Sequence, residues 1–366
     1  MSFKVKVFGA GSIGNHLSNA SRAMGWDVDI CDVDQAALDR TKNDIYPMRY
    51  GEWDEGIGLY LNDDAPVGGY DLIFVGTPPD SHMSLAMAAV EENPKAILVE
   101  KPLCGPDLAG GQELLDAANA KGIKVFVGYD HVVGAASVEV SDKPKTVNIG
   151  DIETIDVEFR EHWGGIFGAH PWLDGPSDTY LGYWQRGGGA SGEHSHAINL
   201  WQHFASSVGV GRIVEINAMM DFVQDGTVDY DKLCIMNVIT ETGMIGRVVQ
   251  DVVTNPPRKW GRIQGRDGYV EWQCGAKPGV DQVRWKSGDS DVESNDIEKT
   301  RPQDFIMEMN HIKDVLDGKI ADSPISLERG LDTMLVVAAA HMSAKHKRNV
   351  RIDYSKGYSE AALELA

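Results

Sequence analysis

Polar residues alternate with β-branched or aromatic ones from Lys4 to Phe8, which predicts a strand. Ile13, Leu17, Ala20 and Met24 then recur at helical spacing, and Gly25 stands where such a helix stops. Val28 to Cys31 predicts a second strand and Gln35 to Lys42 a second helix. Between Asn43 and Ala65 the pattern assigns no element, although Tyr46, Tyr50, Trp53 and Tyr60 make the stretch aromatic. Tyr70 to Val75 and Ala96 to Val99 are apolar runs, suited to parallel strands buried on both faces. A helix carrying Leu85, Ala86, Ala89 and Val90 lies between them. Another, from about Leu108 to Ala120, leads to the strand Lys124 to Gly128. Strands alternating with helices predict a doubly wound parallel sheet, a Rossmann domain over residues 1–130.

The pattern changes after His131. IETIDVEFR, RIVEINAMMDF, KLCIMNVITET, MIGRVVQDVVT and GYVEWQ read as strands without intervening helices, hence a large, mostly antiparallel open β-sheet. A glycine-rich segment and helix, Gly187 to Phe204, interrupts them. Helices are predicted at Gln303 to Leu316 and from Ser326 to about Ser343, with Ser326 as N-cap. Lys277 to Arg301 is polar and acidic and reads as a loop. The fold expected is an α/β Rossmann domain followed by an α+β domain, residues 131–366, for substrate binding and oligomerisation.

Composition narrows the function. A chain of 366 residues, 42% hydrophobic, can bury two cores. It has no apolar run long enough to span a membrane, and a strand begins at once where a signal peptide would lie. Four scattered cysteines without a CxxC pair read as reduced thiols of a cytoplasmic protein. The formal charge of −21 disfavours nucleic acid and anionic membranes as partners. No dense ligand set suggests a metal.

In a doubly wound sheet, ligands bind at the carboxyl ends of the strands. Those ends carry GAGSIG, GTPPDSH, EKPL and GYDH. With 40 glycines in the chain, GxGxxG alone means little. Here a strand precedes it, a helix follows, and Asp32 stands about twenty residues on, as a dinucleotide site requires. Gly9 permits the turn, Gly11 lets pyrophosphate approach, and Gly14 lets helix and strand pack. Ser12 and Ile13 complete the turn, and the helix start offers free N–H groups to phosphates. Asp32 would accept from the ribose hydroxyls. With Asp34 it would repel the extra phosphate of NADP, so NAD(H) is the cofactor expected. Thr77, Pro78, His82, Glu100, Lys101 and Tyr129 complete the expected cofactor set, His82 having helix capping as its other reading.

These pieces together resemble the Gfo/Idh/MocA family of NAD(P)-dependent oxidoreductases, which act mainly on sugars and cyclitols. The resemblance rests on GAGSIG, GTPPDSH, EKPL, GGGASGEHSHAINLW and the tail RNVRIDY, and runs nearly end to end. The glycine-to-histidine segment and VVQDVVTNPPRKWGRIQGRDGYVEW are similar to members from nucleotide-sugar and surface-glycan pathways. The resemblance implies that Lys101 bonds the reacting hydroxyl and stabilises charge developing on its oxygen. It also implies that His196 moves the hydroxyl proton. Glu193 and Asn199 stand where the family usually has aspartates around this histidine. An imidazole paired with asparagine would be a weaker base.

For the substrate, Asp130, Trp163, Tyr183 and Arg186 join Lys101 and His196, with Trp172, Tyr180 and Trp184 nearby in sequence. Aromatic faces stack on sugar rings, and arginine grips carboxylate or phosphate. Arg258, Lys259, Arg262 and Arg266 read either as a diphosphate site or as a solvated strand face. The resulting expectation is hydride transfer between nicotinamide and a ring carbon of a sugar, uronate, nucleotide sugar or cyclitol. Two alternatives stay open: a lyase or hydrolase that retains NAD for transient oxidation, and a non-catalytic NAD- and sugar-binding regulator. A homodimer or homotetramer built on the second domain's sheet is expected.

Overall fold

The computed structural model describes residues 2–168 and 172–366. The chain divides into two units, the first formed by residues 1–103, 110–130 and 301–330. The second comprises 104–109, 131–300 and 331–366. A single boundary after residue 130 therefore misses two exchanges. The return of 301–330 has a cause in its apolar stripe: Phe305 stacks on His16 at 4.7 Å, and Met309 accepts from Ser21. The Val127 N–H also donates to the Ile325 carbonyl at 2.8 Å.

The first unit holds six parallel strands: β1 (Lys4–Phe8), β2 (Asp27–Asp32), β3 (Ile57–Leu61), β4 (Leu72–Val75), β5 (Ala96–Val99) and β6 (Lys124–Val127). Their order is β3-β2-β1-β4-β5-β6, that of a dinucleotide-binding sheet. Every residue of β4 and β5 is buried, as continuous apolar runs require. The direction of winding reverses between β1 and β4, which opens the binding crevice at the carboxyl ends of those strands. Strand β3 escaped the hydrophobic pattern because it is an edge, with only Ile57 fully buried. Before it, the helix Gln35–Arg40 continues through a wider turn, Thr41–Ile45, into the helix Tyr46–Tyr50.

The second unit holds β7 (Ile152–Arg160), β8 (Ile213–Asp225), β9 (Val228–Thr240), β10 (Ile245–Asp251), β11 (Arg258–Gly265) and β12 (Gly268–Lys277). It continues with β13 (Val280–Ser287), β14 (Glu293–Glu298), β15 (Val350–Ile352) and β16 (Leu363–Leu365). These make one ten-stranded sheet, β14-β13-β12-β11-β7-β10-β9-β8-β15-β16, antiparallel except where β7 meets β10. The expected loop at 277–301 is instead the hairpin β13–β14. Its outer strand is an edge with five of six residues exposed, so it carries no apolar alternation to read. One face of the sheet packs the helix His196–Ser207, whose Trp201 donates to the Ile155 carbonyl at 2.8 Å. Among the described residues, no helix is long and apolar enough to cross a membrane.

Candidate active site

The turn after β1 is built by sterics. Gly9 sits at φ +102°, and a Cβ there would lie 2.8 Å from the Gly76 carbonyl oxygen. A Cβ on Gly14 would fall 1.8 Å from the Gly9 oxygen, so this turn closes only with glycine at both places. Gly11 faces open space, with nothing within 4 Å of its missing Cβ. The helix Ser12–Ala23 begins there without a side-chain cap or an acidic residue in its first turn, leaving donors for an anion. Asp32 is anchored from both sides: Oδ2 accepts the Ala10 N–H at 2.7 Å and Oδ1 the Asp34 N–H at 3.0 Å. A carboxylate has lone pairs beyond those two for ribose hydroxyls. Asp34 caps the next helix through the Ala36 N–H. These residues fit a dinucleotide.

Arg49 was not foreseen. Its guanidinium donates to the Ser12 carbonyl at 3.0 Å and lies 3.3 Å from His16 Nε2, bringing positive charge to the start of the phosphate-facing helix. No signal marked it, because it sits in the stretch to which the pattern assigned no element.

At the ends of β4 and β5, Ser81 donates to the Thr77 hydroxyl at 2.7 Å, and Pro78 is exposed. His82 departs from expectation. It is fully buried, with Nδ1 3.0 Å from the Pro102 carbonyl and Nε2 2.8 Å from the Thr77 carbonyl. Burial holds its pKa below the usual histidine range, against the pull of those carbonyls. It therefore ties two strand ends together and offers no surface to a ligand. Tyr129 is likewise fully buried, and Asp130 is 7% exposed. Lys101 is half-buried, two residues beyond β5, and its N–H donates to Glu100 Oε2 at 3.2 Å.

Sequence reasoning also missed Glu308. It is fully buried on the helix Arg301–Leu316, and neither carboxyl oxygen has a hydrogen-bond partner. Burial, then the charges of Glu100, Asp130 and Asp304, pushes its pKa well above the carboxylate range. A signal was present. Phe305, Glu308, Met309 and Ile312 share helical spacing, so a carboxyl lies on the buried stripe.

In the second unit the short helix Gly189–Glu193 leads through His194 and Ser195 into the helix His196–Ser207. His196 meets the edge of His131, ring centroids 4.8 Å apart at 89°, and stacks on Phe159 at 6.0 Å. Glu193 accepts the Tyr180 hydroxyl at 2.9 Å. Asn199 does not serve the histidine. Among the described residues its side chain bonds only the Thr333 hydroxyl, at 3.4 Å, and that hydroxyl donates to Gln202.

The aromatic set also divides. Trp163 is 8% exposed and packs with Leu181, Ala190, Tyr230 and Val252, so it belongs to the core. Trp184 stacks on His341 at 4.6 Å. Tyr183 is half-buried beneath the exposed Arg186, 5.3 Å from guanidinium to ring. The basic cluster lies on and just beyond β11, paired with neighbouring acids. Arg258 meets Glu158 at 3.0 Å, Lys259 Glu161 at 2.8 Å, Arg262 Glu271 at 3.2 Å and Arg266 Asp151 at 2.8 Å. The strand-face reading is the one this geometry supports.

The six-stranded sheet and its glycine turn define an NAD-binding Rossmann domain. Residues 3–129 match the Gfo/Idh/MocA model, described as an oxidoreductase family with an NAD-binding Rossmann fold. Over these residues the chain is similar to the NAD-binding domain of that family. The fold is shared more widely along the chain. The structure of levoglucosan dehydrogenase with NADH superposes with a TM-score of 0.78 at 18% identity, covering 96% of this chain and 100% of that one. WlbA dehydrogenase from Bordetella pertussis, in complex with NADH and UDP-GlcNAcA, gives 0.70 at 17% identity, with 96% and 99% covered. Aldose-aldose oxidoreductase from Caulobacter crescentus gives 0.72 at 16%, with 96% and 100% covered. No curated protein matches the sequence.

Proposed function

We propose that the protein is an NAD(H)-dependent dehydrogenase or reductase acting on a ring hydroxyl or keto carbon of a carbohydrate-like substrate. The observation that carries the reading is Lys101, a half-buried ammonium two residues beyond β5, at the carboxyl edge of an NAD-binding sheet. NAD, when bound, supplies the hydride acceptor. Gly9, Gly11, Ser12, Ile13 and Gly14 would hold its phosphates, Asp32 its ribose, and Thr77 and Pro78 its nicotinamide half. Lys101 bonds the substrate oxygen and stabilises the charge that develops as its proton leaves. His196 takes that proton, its ring held against His131 and Phe159. Tyr183 and Arg186 contact the substrate. The anionic pair Asp32 and Asp34 favours NAD over NADP. The carbohydrate class is supported by the dehydrogenases of similar fold, one complexed with a nucleotide sugar.

Screening sugars, uronates, cyclitols and nucleotide sugars for NAD reduction tests the proposal. On the responding substrate, Lys101→Ala and His196→Ala should each lower kcat about 100-fold or more. NADH affinity, read by fluorescence titration, should change far less. Full turnover in both variants would overturn these roles.

A further inference from the structure

Beneath the glycine turn of the second unit lies a chain of polar side chains that the proposed chemistry leaves unused. Asp231 on β9 and Ser191 on the helix Gly189–Glu193 are fully buried, and His341 on the helix Leu327–His346 is 9% exposed. Asp231 Oδ2 accepts the Ser191 N–H at 2.8 Å, and Oδ1 lies 3.1 Å from the Ser191 hydroxyl. That hydroxyl is in turn 3.0 Å from His341 Nε2. Gly189, at φ +75°, makes the approach possible: a Cβ there would lie 2.0 Å from Asp231 Oδ1. Gln250 donates to the carbonyls of Ser191 and His194 at 3.2 and 2.7 Å. The segment leading into His196 is thus held by two buried side chains, of which only Asp231 can ionise.

A hydroxyl between a carboxyl and an imidazole has two complete arrangements. With Asp231 ionised, Ser191 donates to the carboxylate and His341 donates from Nε2 to Ser191. With a proton on Asp231 Oδ1, the carboxyl donates to Ser191, Ser191 donates to Nε2, and the His341 hydrogen moves to Nδ1. Both links of the chain, carboxyl to hydroxyl and hydroxyl to Nε2, are complete hydrogen bonds in either arrangement.

We propose that Asp231, Ser191 and His341 form a two-state brace in which the proton on Asp231 sets the His341 tautomer and the placement of the turn carrying His196. Asp231 is a positioning residue in this scheme. The titratable groups facing Asp231 and the Ser191 hydroxyl are His341 from its helix, Cys234 on the same strand as Asp231, and Asp229 toward His341. Burial pushes the Asp231 carboxyl up to about 7, against the bonds from Ser191. Burial likewise holds His341 down to about 4, so the ring stays neutral while the carboxyl titrates. Only the effect on turnover rests on the role given to His196.

The experiment is nitrogen NMR of the full-length protein with labelled histidine. His341 should be Nε2–H about one pH unit above neutrality and Nδ1–H about one unit below it. Asp231→Asn places an amide donor where the carboxyl proton sits, so it should fix Nδ1–H at every pH. Ser191→Ala keeps the backbone bond and should abolish the response. An invariant His341 tautomer in the wild type, or a switch that survives in Asp231→Asn, overturns the brace. On a responding substrate, Asp231→Asn should remove a kcat inflection near neutral pH and leave KM for NAD unchanged. A kcat profile identical to wild type overturns the positioning role. A tautomer switch in a protein that turns over no substrate supports the brace and counts against the dehydrogenase reading alone.

Discussion

Asp32 is the side chain on which the proposed preference for NAD rests. Two backbone N–H groups fix its carboxylate at the end of β2, so it meets an incoming ribose with its charge already oriented. An additional phosphate on that ribose would meet the same charge, with Asp34 two residues away. Asp32→Ala should weaken NADH binding about 10-fold, the loss of one or two charge-assisted bonds. It should weaken NADPH binding less, or strengthen it. Fluorescence titration with both nucleotides checks this without any substrate, and equal losses would remove Asp32 from the selectivity argument. Arg49 predicts a different signature. Its cation lies beside the Ser12 carbonyl, where phosphates common to both nucleotides would bind, so Arg49→Ala should weaken NADH and NADPH alike, by a few-fold. A loss confined to one nucleotide would place Arg49 at the ribose instead.

At the scale of elements, legibility followed burial. Strands β4 and β5 could be read from sequence because apolar runs with both faces covered leave few other solutions. Strands β3 and β14 could not, since an edge needs little apolar surface and pairs through backbone. The same limit hid Arg49, whose helix sits before an edge strand, and it misplaced His82, Trp163 and Asn199. Residue type gave those three a chemical meaning, while packing turned them to backbone, core and Thr333. Glu308 is the converse case, a carboxyl on an apolar stripe. Its folded pKa lies well above the ordinary 4.5, so the folded protein holds a proton that the unfolded chain releases. Stability from this group is complete below the unfolded pKa. It is lost as pH rises toward the folded value, at up to about 1.4 kcal/mol per pH unit. Glu308→Gln keeps the shape without the proton. Its melting temperature relative to wild type should climb steadily from pH 5 to pH 8, and a constant difference would mean that Glu308 is ionised in the folded state.

For the whole molecule, the ten-stranded sheet poses the largest question, because one of its faces leaves apolar side chains of three adjacent strands exposed. Met219 on β8 and Ile235 on β9 are cross-strand partners on that face, 75% and 39% exposed, and Ile245 on β10 is 60% exposed. They lie in a field of charge on a chain of net −21, where repulsion between like molecules opposes casual association. Exposed apolar side chains on adjacent strands under those conditions favour a covered face. We propose that a second copy of this chain covers it. Two such faces meeting about a two-fold axis would bring each Ile235 near its counterpart, and a cation there would be buried beside another. Ile235→Lys and Met219→Lys should therefore each weaken self-association about 10-fold or more while leaving the melting temperature of the monomer nearly unchanged. Light scattering across a dilution series reads the first quantity and thermal denaturation of the dilute protein the second. A wild type that stays monomeric at every concentration would sink the interface. A dimer indifferent to both lysines would move it to another face.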